Sequence, residues 1–339
     1  MTSNRDEVDV LIIGAGPVGL YAAYYAGVRG LRTAIVDSLS QVGGQVSAMY
    51  PEKNIYDIAA LPSVTGRELI SGLRAQADQY HPTYLLGQEA RDLAHMIDDG
   101  GRARKLVRTS AGLEVSCAAI VITGGIGTFT PRPLPAGEEF LGRGLDYFVP
   151  SKDDYAGRDV IVVGGGDSAL DWCLMLEPIA ASVTLVHRRS AFRAHAASVA
   201  QVEASSIEVI TDAQIVALEG GRFVEKASIE VKGEDAPRVL PCQAVVAALG
   251  FTANLGPLRD WGLELHDNRH VVVGTSMETN VAGVFAAGDI TDYRGKVRLI
   301  SVGFGEAATA VNNAAVHVNP EAQLFPGHST DDPHPGGAS

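Results

Sequence analysis

Val8-Asp9-Val10-Leu11-Ile12-Ile13-Gly14-Ala15-Gly16-Pro17-Val18-Gly19, continued by Leu20 to Val28 and closed by Thr33-Ala34-Ile35-Val36-Asp37, decides the fold of this chain. The first six residues have strand composition, the glycines form G-x-G-x-x-G, Leu20 to Val28 reads as a helix, and Thr33 to Val36 reads as a second strand ending on an acid. Strand, glycine turn, helix, strand and carboxylate in this order are the layout of a dinucleotide-binding unit. Gly14 and Gly16 let the backbone turn tightly and approach a pyrophosphate, while Gly19 lets helix and strand pack closely. The helix N-terminus adds free amides and a partial positive charge. Asp37 stands where a carboxylate can accept from both hydroxyls of an adenosine ribose.

The pattern then recurs. Val160-Ile161-Val162-Val163 is a strand, Gly164-Gly165-Gly166-Asp167-Ser168-Ala169 a turn, Leu170 to Leu176 a helix and Val183-Thr184-Leu185-Val186 a second strand. Counted from the first glycine, His187 takes the place of Asp37, and it is followed by Arg188 and Arg189, with Arg193 four residues beyond Arg189. A carboxylate at that place favours a free 2′-hydroxyl and repels a phosphate, whereas guanidinium groups pair with a 2′-phosphate through charge-assisted bonds. The first unit is therefore expected to hold FAD or NAD. The second is expected to hold NADP(H), through Gly164, Gly166, Asp167, Ser168, His187, Arg188, Arg189 and Arg193.

Length and charge bound the rest. A chain of 339 residues is too long for one ordinary core, and with 46% hydrophobic residues it has material for two. A net charge of −13 argues against nucleic acid or an anionic membrane as the main partner. Neither an apolar signal region near Met1 nor a run of membrane-span length is evident. Cys117, Cys173 and Cys242 lie far apart with no C-x-x-C, as in a reduced, cytoplasmic protein with structural thiols and no metal site.

Between the two glycine motifs, Gly43-Gly44-Gln45 is expected to lie over a cofactor, because paired glycines permit close backbone approach. On pattern alone Tyr50, before Pro51, reads as a turn residue. Thr65-Gly66-Arg67-Glu68 is a capping box opening a helix whose core face carries Leu69, Ile70, Leu73 and Ala77. Leu106 to Thr123 alternates apolar and polar residues about the turn at Ala111-Gly112, an antiparallel excursion that stops at Thr123-Gly124-Gly125. Ile207 to Gly250 repeats it, with strand composition over Phe223 to Val231 and Val239 to Leu249. These stops place a second domain inside the first: residues 1–123 and 254–339 form one dinucleotide-binding domain and residues 124–253 the other. Gly283 to Asp289 is an apolar strand ending in Gly-Asp, whose carboxylate suits a polyhydroxyl chain, and Gly303-Phe304-Gly305-Glu306 opens an alanine-rich helix to about Val318. Beyond Pro320 the composition is that of a disordered tail.

In this arrangement the chain resembles the two-dinucleotide-binding flavoproteins, whose smallest members are the thioredoxin reductases. Within that group it is most similar to the thioredoxin-reductase-like ferredoxin:NADP+ reductases. The finer match rests on Gly43-Gly44-Gln45, Tyr50-Pro51-Glu52-Lys53, Ile55-Tyr56-Asp57-Ile58, Gly295-Lys296-Val297, Gly303-Phe304-Gly305-Glu306-Ala307 and Gly327-His328-Ser329-Thr330. The resemblance implies an α/β fold of two Rossmann-like, three-layer ββα domains, the NADPH domain inserted into the FAD domain. It implies FAD held by Gly14, Gly16, Pro17, Gly19, Asp37, Gln45, Tyr50, Ala90, Phe129, Asp289 and Thr330. It also implies a homodimer in which Tyr50 stacks on one flavin face and His328 of the partner covers the other, with ferredoxin or flavodoxin as electron carrier. Arg294, Lys296 and Arg298 are candidates for docking that acidic carrier. A disulfide or quinone reductase and a non-catalytic flavin and NADP sensor stand as alternatives. Against the first, Tyr147-Phe148-Val149-Pro150-Ser151 has no cysteine pair where thioredoxin reductases carry C-x-x-C.

Overall fold

The computed structural model describes residues 5–149 and 151–327 of the chain. It divides into two compact units, Met1–Phe129 with Ala253–Ser339, and Thr130–Thr252. The first crossing thus falls six residues later than the glycine cluster at residues 123–125 suggested, and the second one residue earlier than expected. The chain leaves the first unit through a short strand, Thr128–Pro131, and not at the glycines themselves.

In the first unit the sheet runs Thr83–Leu86, Thr33–Asp37, Arg5–Ile13, Glu114–Ile122, Ala103–Thr109, Ala90–Ile97 among the described residues. Val10, Leu11 and Ile12 are wholly buried because this interior strand pairs in parallel on both sides and is covered on both faces. Glu114–Ile122 changes neighbour along its length. Its first half pairs antiparallel with Ala103–Thr109, and its second half pairs in parallel with Val284–Ala286. That switch brings the Gly-Asp strand end to the same edge of the sheet as the Gly14 turn. Three helices pack here: Pro17–Val28, Gly66–Asp78, and Ile300–Val318, whose Ala307, Ala310, Val311 and Ala314 form the buried stripe of an amphipathic helix. The Thr65 capping box is formed in both directions, Glu68 N–H to Thr65 Oγ1 and Thr65 N–H to Glu68 Oε2.

The second unit has a parallel sheet, Leu145–Asp146, Ala244–Ala247, Asp159–Val163, Ser182–Val186, Glu208–Ile210. Strand periodicity sorts its side chains. Ile161 and Val163 join the core beneath an antiparallel sheet of Ala213–Gly220, Val224–Val231 and Arg238–Pro241, while Val160 and Val162 face Leu170, Cys173 and Leu176 of the helix Asp167–Leu176. Val239 to Leu249 is therefore not one strand. Pro241 cannot continue a ladder as a donor, and the chain passes there from one sheet to the other. Among the described residues no helix is long and apolar enough to cross a membrane, and no His/Cys/Asp/Glu cluster could hold a metal ion.

Candidate cofactor-binding sites

In an open parallel sheet ligands sit beyond the carboxyl ends of the strands, and the first unit has a cavity there. It encloses about 1210 Å³ of atom-free space, part of it open to solvent, and its floor is backbone: Gly14, Gly16, Gly44, Gly124 and Gly125. Gly14 is required by the fold itself, since at φ +112° a Cβ would lie 2.6 Å from the Thr123 carbonyl oxygen. Gly16 is different. Its backbone is extended, φ −71° and ψ −176°, and a Cβ would meet nothing nearer than Gly44 Cα at 4.0 Å. The fold would accept a side chain at Gly16, and that side chain would project where a ligand must come close to the helix N-terminus. This helix starts at Pro17, three residues before the apolar run of Leu20 suggested, because Pro is suited to a first helical turn.

Asp37 and Asp289 line the same cavity, and two strands intervene between theirs. At about 4.8 Å per strand the two strands lie on the order of 14 Å apart, fit for an elongated ligand with hydroxyls at two places. Asp37 is held in place: Oδ2 accepts from Ala15 N–H at 2.7 Å and Oδ1 from Leu39 N–H at 2.8 Å. Burial pushes its pKa up, and these two amides pull it back. Each oxygen keeps a further lone pair for a hydroxyl. Asp289 has no hydrogen-bond or ion-pair partner among the described residues, and burial again pushes its pKa up. Tyr50, its hydroxyl pushed up to about 12 chiefly by burial, lines the cavity together with Gln45, Ala90, Phe129 and Pro17. A pocket of backbone amides between two carboxylates, with an aromatic ring beside one of them, suits a flavin dinucleotide.

The expected residues differ in how they serve this cavity. Gly19 does not line it: a Cβ there would meet Gly14 O at 1.8 Å, so its part is to seat helix on turn. His328 and Thr330 lie outside the described residues. Gln88 and Glu89 line the cavity without having been expected. Gln88 N–H donates to Asp37 O at 3.0 Å, and the signal for this turn was the strand Thr83–Leu86 ending at Gly87. Gly43-Gly44 opens a six-residue helix, Gly44–Met49, that the glycines themselves do not announce. The docking role of Lys296 is overturned. Its side chain is 3% exposed and its Nζ lies 2.5 and 2.7 Å from the two carboxylate oxygens of Glu306, which leaves Arg294 and Arg298 as the solvent-facing members of that row.

In the second unit Gly166 repeats the behaviour of Gly16. Its φ is −106° and ψ 175°, and a Cβ would meet nothing within 4 Å. Gly165 is needed by the fold, because His187 packs beneath it with its ring 2.0 Å from the place of a Cβ. His187 thus differs from Asp37 despite the shared offset. Its ring is stacked on Phe192 at 5.1 Å, Nε2 meets Ala191 O at 3.2 Å, and burial lowers its pKa, so it shapes the turn as a neutral imidazole. The loop is tied over the turn by Arg193 N–H to Gly165 O and His195 N–H to Asp167 Oδ1, both 2.8 Å. Arg188, Arg189 and Arg193 are exposed, as is Ser168. Among the described residues none of the three guanidiniums is paired with a carboxylate.

A model of the pyridine nucleotide-disulphide oxidoreductases matches residues 8–314. The chain belongs to that family. Within it the similar relatives are ferredoxin–NADP reductases: that of Nocardioides sp. is 59% identical over 97% of this chain and 99% of the relative, and that of Frankia casuarinae 60% identical over 95% and 99%. Thioredoxin reductase from T. acidophilum superimposes with a TM-score of 0.71 at 24% identity, covering 93% of this chain and 99% of that one, which bears on the fold. The oxidoreductase family accounts for two Rossmann-type units in one chain, and the expected α/β class holds.

Proposed function

We infer that this chain is a ferredoxin–NADP reductase, moving electrons between NADPH and ferredoxin through FAD. One observation carries the reading. Two glycine turns, each with a position the fold leaves vacant, are followed in one unit by a fixed carboxylate and in the other by three unpaired guanidiniums. FAD, when bound, supplies the conversion between the paired electrons of a hydride and the single electrons an iron–sulfur cluster accepts. Asp37 would hold the adenosine ribose, Asp289 the hydroxyls of the flavin chain, and the amides around Gly16 the pyrophosphate. Tyr50 would stack against the flavin ring. Arg188, Arg189 and Arg193 would clamp the 2′-phosphate that distinguishes NADPH from NADH. No acid, base or nucleophile is called for; these residues bind and orient. A homodimer in which His328 covers the partner's flavin, with Thr330 among the residues that hold FAD, belongs to the same reading, as does flavodoxin as a second carrier. The cytoplasm fits it as a reducing compartment.

A disulfide substrate is disfavoured by the thiols. Cys117, Cys173 and Cys242 are all buried and free, each pushed up to about 12 by burial, so none is a nucleophile at neutral pH. Purified protein mixed anaerobically with NADPH should bleach at the flavin band. Stopped-flow mixing with oxidised ferredoxin should then restore it, while oxidised thioredoxin or a quinone should not at comparable rates. Turnover of thioredoxin without turnover of ferredoxin would sink the proposal, and no steady turnover of any acceptor would favour the sensor.

A further inference from the structure

Glu306 is the only buried Asp or Glu among the described residues. It lies on the helix Ile300–Val318, and its carboxylate takes four contacts. Lys296 Nζ donates to both oxygens at 2.5 and 2.7 Å, Tyr293 OH donates to Oε1 at 2.5 Å, and Gly288 N–H donates to Oε2 at 2.7 Å. Lys296 also lies over the Tyr293 ring, 5.5 Å from its centroid. Burying such a pair is a poor way to gain stability, since the loss of hydration offsets most of the attraction. The geometry suggests another use. Gly288 is the residue before Asp289, and the peptides on both sides of it are held: its N–H by Glu306, and its carbonyl by Thr291 N–H at 3.0 Å and Thr291 Oγ1 at 2.8 Å. A Cβ on Gly288 would lie 3.2 Å from Val18 Cγ2, and its φ is +84°, so the turn has little freedom left. The side chain this turn delivers is Asp289, which lines the cavity and has no partner of its own among the described residues.

We propose that Glu306 is a positioning residue for the flavin chain: it fixes the Gly288 amide so that Asp289 is presented to FAD, and Lys296 with Tyr293 neutralises and holds Glu306 for that purpose. The inference rests on the reading of the cavity as an FAD site. Glu306 does not touch the cavity; it acts through Asp289.

The test measures FAD release from the full-length holoprotein, followed by the fluorescence of the freed flavin, beside the melting temperature. The paired variant Glu306→Leu/Lys296→Met removes the acceptor for Gly288 without leaving a buried charge; it also strands the Gly288 N–H and the Tyr293 OH, so it is expected to fold with a melting temperature lowered by roughly several degrees. Its FAD affinity should fall about tenfold, the worth of one misplaced charge-assisted hydrogen bond. Glu306→Gln/Lys296→Met restores an acceptor and should return the affinity to within about threefold of native. In an Asp289→Ala background the Leu/Met pair should cost nothing further, because the residue it positions is gone. Native affinity in the Leu/Met variant, or a full extra loss on top of Asp289→Ala, would overturn the proposal. Failure of the native chain to hold FAD at all would instead overturn the reading of the cavity.

Discussion

Gly16→Val should give a folded, colourless protein, and Gly166→Val a yellow one that NADPH does not bleach. Both glycines have extended backbone that valine adopts readily, and neither added Cβ meets a protein atom closer than 4.0 Å. Ordinary glycine replacements in such turns fail for the wrong reason. At Gly14 or Gly165 the new atom strikes the Thr123 carbonyl or the His187 ring, and loss of cofactor would only report a damaged fold. At Gly16 and Gly166 the space is open, and in the proposed reading it is the ligand's. The Gly16 variant should purify with less than about a tenth of the native flavin content, a loss of several kcal/mol of binding in a site built on close backbone approach. Far-ultraviolet circular dichroism should match native in both variants. A yellow Gly16→Val protein would mean that the cavity of the first unit is not the flavin site.

The second large effect is expected from Arg188→Ala/Arg189→Ala. Each guanidinium is exposed and, among the described residues, unpaired, so removing it strands no described carboxylate and leaves the fold intact. A charge-assisted bond to phosphate contributes about 1.5–3 kcal/mol. Exposure to water and the remaining Arg193 reduce the sum, and a rise of about a hundredfold in the Michaelis constant for NADPH is expected for the pair. The constant for NADH should change less than about threefold, since it has no 2′-phosphate to lose. Equal effects on the two nucleotides would assign these arginines to something other than cofactor choice.

What the sequence disclosed and what it withheld divide along a physical line. The two nucleotide units were legible because their signals are local: an apolar parallel strand, glycines at fixed offsets and a charged residue at the next strand's end. The Thr65 cap was legible for the same reason. The helix Gly44–Met49 was not, because six residues opened by a glycine at φ +110° carry neither a capping side chain nor an apolar period. The edge strand Ala90–Ile97 escaped because most of it faces solvent and so lacks the two-residue alternation. The long C-terminal helix starts at Ile300 and not at Gly303, ahead of the residues that gave it away. Lys296 was misread through its neighbours. Alternating with Arg294 and Arg298 it looked like a solvated row, and nothing within that row shows that its partner is Glu306, ten residues on. His187 shows the limit of counting offsets: same place as Asp37, ring turned beneath the glycines.

The burial of all three cysteines has a practical corollary. Ellman's reagent should find less than about one reactive thiol in the folded protein and all three after denaturation, and iodoacetamide or dilute peroxide should leave turnover untouched. A single new cysteine placed on the surface would then take a spectroscopic label alone, with no need to strip the native ones first. This chain is thus already suited to site-specific probes of how it moves while it works.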